Sequence, residues 1–166
     1  MSNRAPLLPR TAGLLLAAGL AAAGAGQPAA AAEPQVIELT QVACQFLESE
    51  NGVDRDFQTA EKADCEAINA KTGADRLADA KVLTLGPGRY VFRVTNLDVP
   101  YELGFWLRER DYNWKNPLDK LTKISVSGGG LATGATQDYE VELEPGEYLY
   151  SCPLNPTPDY KLVVSN

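Results

Sequence analysis

The sequence of 166 residues contains no histidine, and its only methionine is Met1. The lack of histidine excludes catalytic sites that use an imidazole as general base, including the Ser–His–Asp arrangement. It also excludes metal sites that depend on imidazole ligands. No serine-centred nucleophile motif replaces them, and the carboxylates mostly fall on alternating, outward positions of predicted strands. We therefore expect no enzymatic activity.

Long apolar runs are also scarce, and the longest spans residues 11–24. It follows Arg4 and Arg10 and precedes an Ala-x-Ala pattern, a combination typical of a secretory signal peptide. We predict that residues 1–32 are a cleaved signal peptide and that residues 33–166 form one domain, periplasmic or secreted. An uncleaved anchor is the alternative. No later run approaches the roughly 20 apolar residues of a membrane-spanning helix.

Basic residues are the minority among the charged side chains. The chain has 15 Lys and Arg against 22 Asp and Glu, and loss of Arg4 and Arg10 with the signal leaves a net charge of −9. Such a protein repels nucleic acid and anionic lipid, because both are bound through clustered Lys and Arg. We expect an unidentified periplasmic protein as partner, no nucleic acid, and no membrane span after signal cleavage.

Three cysteines are present, Cys44, Cys65 and Cys152. In an oxidising compartment two of them are expected to pair. Cys44 and Cys65 enclose 20 residues of one irregular region, so we favour this pair, while the sequence leaves the two other pairings open. A bridge over such a loop contributes about 3 kcal/mol in the chain-entropy model. Cys152 is then the odd thiol.

A polar, irregular insertion, at about 44–80, follows the first predicted strand. Thr59 is a suitable N-cap for a helix that runs to about Thr72, with Gly73 just past its end and a second short helical turn near 74–80. We expect the helix to cover the sheets with its apolar face and to be fastened by the disulfide. The predicted face consists of Ala60, Ala63, Ala67 and Ile68, with Cys65 at its edge.

From Lys81 onward the sequence is that of an all-β protein, with short segments in which apolar and polar residues alternate. The segments 85–92 and 143–150 share one scheme, a strand end, a Pro-Gly turn, and a strand with inward aromatic residues. Residues 121–127 read as a further strand, and the glycines at 128–130 as a flexible loop crossing between sheets. The pattern predicts a Greek-key β-sandwich with a short helical insertion after the first strand.

Three stretches carry a family resemblance. They are Asn-Leu-Asp-Val-Pro-Tyr-Glu-Leu at 96–103, Glu-Pro-Gly-Glu-Tyr-Leu-Tyr-Ser-Cys at 144–152, and the proline-rich ending from Cys152 to Val164. With them the chain resembles the cupredoxin superfamily, particularly the small periplasmic cupredoxin-like domains of bacteria. The resemblance covers the first strand and roughly residues 81–166, and it implies a cupredoxin-like fold.

In blue-copper members of that superfamily, a histidine follows the first of these turns, and the last loop supplies a cysteine, a histidine and a methionine. The matching positions here are Tyr101, Cys152, Asn155 and, for the methionine, Asp159 or Tyr160. Only the cysteine agrees, and a phenol with a pKa of about 10 is a poor ligand for Cu(II) near neutral pH. We expect no cofactor. The alternative is a copper-binding or electron-transfer protein with a non-standard site that includes Cys152.

The residues at these positions can form a hydrogen-bonded cluster in place of a metal site. Tyr101, Cys152, Asn155 and Tyr160 are expected to converge at one end of the sandwich, where phenol, thiol and amide groups satisfy one another. Three prolines stiffen the loop. The resulting hypothesis is an exported accessory or binding module that acts through protein interaction at its loop end, residues 152–160. A thiol-dependent activity is the third hypothesis, ranked below the binding module and the copper-binding or electron-transfer protein.

Overall fold

The computed structural model describes residues 33–166, and the predicted signal peptide lies outside them. Within this range the chain forms two β-sheets and one long helix, α1, inserted after the first two strands. The predicted all-β sandwich with a helical insertion is confirmed. The elements are β1 (Gln35–Val42), β2 (Gln45–Phe46), α1 (Lys62–Asp79), β3 (Leu83–Leu85), β4 (Gly88–Asn96), β5 (Leu103–Glu109), α2 (Asp119–Thr122), β6 (Ser125–Leu131), β7 (Thr136–Leu143), β8 (Gly146–Ser151) and β9 (Tyr160–Val164).

One sheet has the strand order β2-β1-β4-β7, and the other has the order β3-β9-β8-β5-β6. Strands β1 and β4 are parallel, as are β3 and β9, while the remaining pairs are antiparallel. The chain changes sheet after β2, β3, β4, β6 and β7, so most neighbours in a sheet are not neighbours in sequence. This connectivity is that of a Greek-key sandwich.

The core between the sheets is centred on Phe105 of β5, which is fully buried. The rings of Phe46, Phe92, Tyr139 and Tyr150 surround it at centroid distances of 5.0–6.4 Å. These aromatic residues come from five strands of both sheets. Their packing follows from the alternation seen in the sequence, because every second side chain of a strand points to the same face.

Helix α1 differs from the prediction at both ends. It begins at Lys62 and not after Thr59, because the Asp64 carboxylate accepts hydrogen bonds from the backbone N–H groups of Ala60 (2.8 Å) and Glu61 (3.1 Å). It also continues through Gly73 to Asp79. A glycine inside a helix costs about 1 kcal/mol, which the buried contacts made beyond it by Arg76 outweigh.

The face through which α1 packs was also predicted wrongly. Ala60, Ala63 and Ala67 are exposed, and Ile68 is half-buried. The residues that face the protein are Cys65, which was predicted at the edge of that face, and Asn69, Gly73 and Arg76. The helix is therefore held by a disulfide and polar contacts, because the alanines offer too little apolar area to secure it.

The three glycines at 128–130 belong to strand β6 and do not form a flexible loop. Gly128 is required by close packing, and Gly130 has a φ of +81°, a conformation that favours glycine. A Cβ atom on Gly128 would lie 2.9 Å from Tyr139 Cε1, and one on Gly104 of the neighbouring strand would lie 2.6 Å from the Gly128 carbonyl oxygen. The strand predicted for residues 121–127 starts only at Ser125, and the four residues of α2 come before it.

Candidate functional site

The loop between β8 and β9, residues 152–159, is fastened to the sandwich by Asn155, which is fully buried. The Asn155 Nδ2 group donates to the Val42 carbonyl (2.9 Å), and Oδ1 accepts from the Cys44 N–H (2.9 Å). Both partners lie at the end of β1, more than 100 positions away in sequence. One amide side chain thus joins the last loop to the first strand.

Cys152 opens this loop and is also buried. Its Sγ accepts hydrogen bonds from the backbone N–H groups of Asn155 (3.1 Å) and Gly104 (3.4 Å). Burial raises the pKa of the Cys152 thiol, although these N–H groups act in the opposite direction. The group is therefore a protonated thiol near neutral pH, hidden from solvent and from redox partners.

The disulfide between Cys44 and Cys65 is present, as predicted. It packs directly against the cluster, since Cys65 Sγ lies 3.0 Å from Asn155 Oδ1 and 3.9 Å from the Tyr101 hydroxyl oxygen. A disulfide sulfur carries no proton, so the short distance to Asn155 is a contact and not a hydrogen bond. The insertion thereby closes this end of the sandwich, and Cys152 is free of a disulfide.

Tyr101 completes this group of residues. Its hydroxyl lies 3.3 Å from Asn155 Oδ1 and 3.4 Å from Thr59 Oγ1. Partial burial raises the pKa of Tyr101, so its phenol stays protonated in the ordinary pH range. The structure therefore brings together Tyr101, Cys152 and Asn155, three of the four residues expected to converge.

Tyr160 lies in a second cluster, which the sequence reasoning missed. Its hydroxyl donates to Glu50 Oε1 (2.5 Å), which also accepts from Arg76 Nη2 (2.5 Å) and Nε (2.9 Å). The Glu50 and Arg76 side chains are 1% and 2% exposed. Burial alone would raise the pKa of Glu50, but hydrogen bonds from Arg76, Tyr160 and Arg55 outweigh it and hold that pKa below its usual value.

Arg76 further links this charged cluster to Cys44 and, through Asn69, to the last loop. It donates to the Cys44 carbonyl (2.8 Å) and to Asn69 Oδ1 (2.6 Å), and Asn69 donates to the Pro156 carbonyl of the last loop (2.6 Å). The spacing of three of these residues in the sequence could have indicated that they lie together. Cys65, Asn69 and Arg76 stand four and seven positions apart, so they share one helical face.

The copper ion implied by the cupredoxin resemblance does not fit these residues. A type 1 site needs two imidazoles and a thiolate. Here both the oxygen and the nitrogen of the Asn155 amide are hydrogen-bonded within the protein, and Tyr101 and Cys152 keep their protons. In residues 33–166 no three side chains of the types His, Cys, Asp and Glu are grouped so as to hold a metal ion. That the protein binds no copper stays a prediction.

The outer side of the loop presents apolar groups to solvent. Leu154 is 42% exposed, and Pro153 beside it is exposed as well. They border a shallow open depression with Phe105 and Trp106 of β5 and Ser127, Gly128 and Gly129 of β6. An Arg108 guanidinium covers the Trp106 ring at 3.9 Å and pairs with Asp159 of the loop (2.8 Å). The loop surface is thus continuous with the edge of one sheet.

No protein-family model matches the sequence, and a search of curated proteins finds no match either. Among solved structures, auracyanin B is similar to this chain with a TM-score of 0.49 and 13% identity, over 82% of this chain and 94% of that one. At this identity the similarity says nothing about which side chains bind a ligand. None of the helices in residues 33–166 is long and apolar enough to cross a membrane.

Proposed function

We propose that this protein is an exported binding or accessory module that contacts another protein through the outer surface of its last loop. The observation that carries this proposal is the contrast between the two sides of the loop. Asn155 and Cys152 are buried and hydrogen-bonded on the inner side, whereas Pro153 and Leu154 are exposed on the outer side. The loop is held in one shape while its apolar tip stays available.

Rigidity of this kind favours recognition. A surface that is already ordered loses little conformational entropy on binding, so more of the contact energy appears as affinity. The prolines at 153, 156 and 158 fix φ at three positions, and Thr157 Oγ1 accepts a hydrogen bond from the Cys152 N–H (3.1 Å). The Gly128–Gly129 backbone beside Leu154 carries no side chains that would block a partner.

Replacing Leu154 with aspartate is expected to abolish binding of the partner. A carboxylate in the middle of an apolar contact must be desolvated without a counter-charge, so we expect capture of the partner from periplasmic extract to fall at least tenfold. The matched control is Val36→Asp, a similarly exposed position on β1 (45%). Equal capture by the wild type and Leu154→Asp, quantified by mass spectrometry, would contradict the proposal.

Added copper is expected to bind weakly and without an intense visible absorption band. The thiol of Cys152 is protonated and its environment supplies no imidazole, so nothing stabilises a copper–thiolate bond. The measurement is metal analysis of the purified protein together with its visible spectrum, with Cys152→Ser as control. Stoichiometric copper that disappears in Cys152→Ser would favour the alternative, a non-standard copper or electron-transfer site.

A further inference from the structure

In the loop between β5 and β6, large apolar side chains are exposed and a carboxylate is buried. Three of its apolar side chains point to solvent, with exposed fractions of 58% for Trp114, 66% for Leu118 and 83% for Leu121. The carboxylate-bearing residue Asp119, in contrast, is only 7% exposed. Large apolar side chains grouped on the surface of a protein often mark a site of contact.

Polar contacts of Asp119 and Asn116 hold this loop in shape. The Asp119 carboxylate accepts hydrogen bonds from the Asn113 N–H (2.8 Å) and from Asn116 Nδ2 (2.6 Å), and it pairs with Lys123 Nζ (3.3 Å). Asn116 Oδ1 in turn accepts from the Leu118 N–H (3.1 Å). The outward direction of the apolar side chains is therefore set by the fold of the loop.

The charge of this loop differs in sign from that of the rest of the protein. Residues 112–122 contain two basic residues and one acidic residue, a net charge of +1, which leaves −10 for the remainder of residues 33–166. Lys115 and Lys120 are exposed and have no ion-pair partner within the described residues. Lys115 Nζ lies 5.3 Å from the centre of the Trp114 ring.

The segment also lies away from the loop discussed under the proposed function. In the pairing of β5 with β8, Trp106 faces Ser151, which precedes the last loop. Glu109 faces Tyr148 at the other end of the pair, and the segment with Trp114 follows from there. The two loops thus lie near opposite ends of the β5–β8 pair, with the Trp106 ring between them and edge-to-face with Tyr112 at 6.2 Å.

We propose that the Trp114 loop, residues 112–122, docks on a lipid bilayer with anionic head groups. Trp114, Leu118 and Leu121 enter the boundary between head groups and acyl chains, where tryptophan is favoured. Lys115 and Lys120 reach the lipid phosphates while their alkyl chains stay in apolar contact.

The distribution of charge favours this partner. The overall charge of −9 argues against a bilayer at long range, but salt screens charges beyond about 10 Å at 0.1 M. At contact, the basic rim of the loop is attracted to anionic head groups while the acidic remainder is repelled from them. The molecule is thereby oriented with this end towards the membrane.

The fluorescence of Trp114 gives a direct test. The chain contains two tryptophans, so Trp106→Phe leaves Trp114 as the single reporter. Vesicles of phosphatidylcholine with a minority of phosphatidylglycerol are expected to shift its emission to the blue, and brominated acyl chains to quench it. Co-sedimentation of the unmutated protein with the same vesicles provides a measurement that does not depend on the substitution.

Matched variants separate this tip from the rest of the surface. Leu118→Ser combined with Leu121→Ser is expected to weaken vesicle binding about tenfold or more, whereas Leu97→Ser, at a position 52% exposed after β4, leaves it unchanged. Lys115→Glu with Lys120→Glu should remove the preference for phosphatidylglycerol. Absence of vesicle binding by the wild type, equal binding to pure phosphatidylcholine, or unchanged binding of the double leucine variant would each overturn the proposal. A protein partner at this loop would give the first of these results.

Discussion

Replacing Arg76 with methionine is expected to lower the free energy of unfolding by about 3–5 kcal/mol, the usual cost of removing one partner of a buried ion pair. The substitution leaves the Glu50 carboxylate in the interior, with Arg55 and Tyr160 as its remaining partners. It also deprives the Cys44 carbonyl and Asn69 of a donor. Urea denaturation of the oxidised protein, compared with the wild type, measures the change.

A double variant shows whether the loss arises from the unpaired charge. With Glu50→Leu added to Arg76→Met, no unpaired carboxylate remains buried in this cluster, and the pair of substitutions should be less harmful than Arg76→Met alone. If the free energy of unfolding of Arg76→Met lies within about 1 kcal/mol of the wild-type value, the ion pair of Glu50 and Arg76 does not hold the insertion. Surface substitutions typically have effects of this size or smaller.

The pH dependence of stability provides an independent check on Glu50. The pKa of Glu50 is lowered in the folded state, so its contribution is complete above its unfolded pKa of about 4.3. It is lost as the pH falls through the lower folded value. The wild type and Arg76→Met should therefore differ most near neutral pH, and the difference should shrink below about pH 4. A difference that stays constant across this range would contradict the assignment.

Alternation and turn residues were enough to predict strands β4 and β5. Tyr90, Phe92 and Val94 are buried on β4, and Leu103, Phe105 and Leu107 are buried on β5, because a strand places every second side chain on one face. The pairing of Cys44 with Cys65, favoured because both lie in one irregular region, is also confirmed. These features depend on neighbours in sequence, which a single sequence displays.

The errors concern features that depend on distant residues. Gly73 signals a helix end locally, but the helix passes through it because Arg76 has partners 26 and 32 positions away. The glycines at 128–130 were predicted to form a flexible loop, whereas they belong to a strand in which Tyr139 and Gly104 approach Gly128 too closely for a side chain. Neither requirement is visible in the segment itself.

The candidate site was predictable only in part, for the same reason. The resemblance aligned Tyr101, Cys152 and Asn155 with the ligand positions of one superfamily, and these three residues do lie together. Tyr160 was also aligned with a ligand position, but its hydroxyl contacts Glu50 and Arg76, which belong to the insertion. A resemblance that covers the strands carries no information about an insertion that lies outside it.

Replacing Asn155 with alanine is expected to cost about 2–4 kcal/mol of stability and to loosen the last loop. The substitution leaves the Cys44 N–H and the Val42 carbonyl without their partner in the interior, and each unsatisfied group costs about 1–3 kcal/mol. Leu154→Ala is the matched control in the same loop, and at 42% exposure it should change stability by about 0.5 kcal/mol or less.

Hydrogen exchange distinguishes a loop anchor from a residue of general importance to the core. If Asn155 fastens the loop, the amides of residues 152–159 should exchange faster in Asn155→Ala, while those of β4 and β5 change only as far as global stability requires. Asn155→Ala should also weaken binding of the partner at Leu154, because the loosened loop must then lose conformational entropy when the partner binds. Unchanged exchange in the loop would show that the disulfide and Asn69 hold it without Asn155, and would remove the physical basis for a preformed recognition surface.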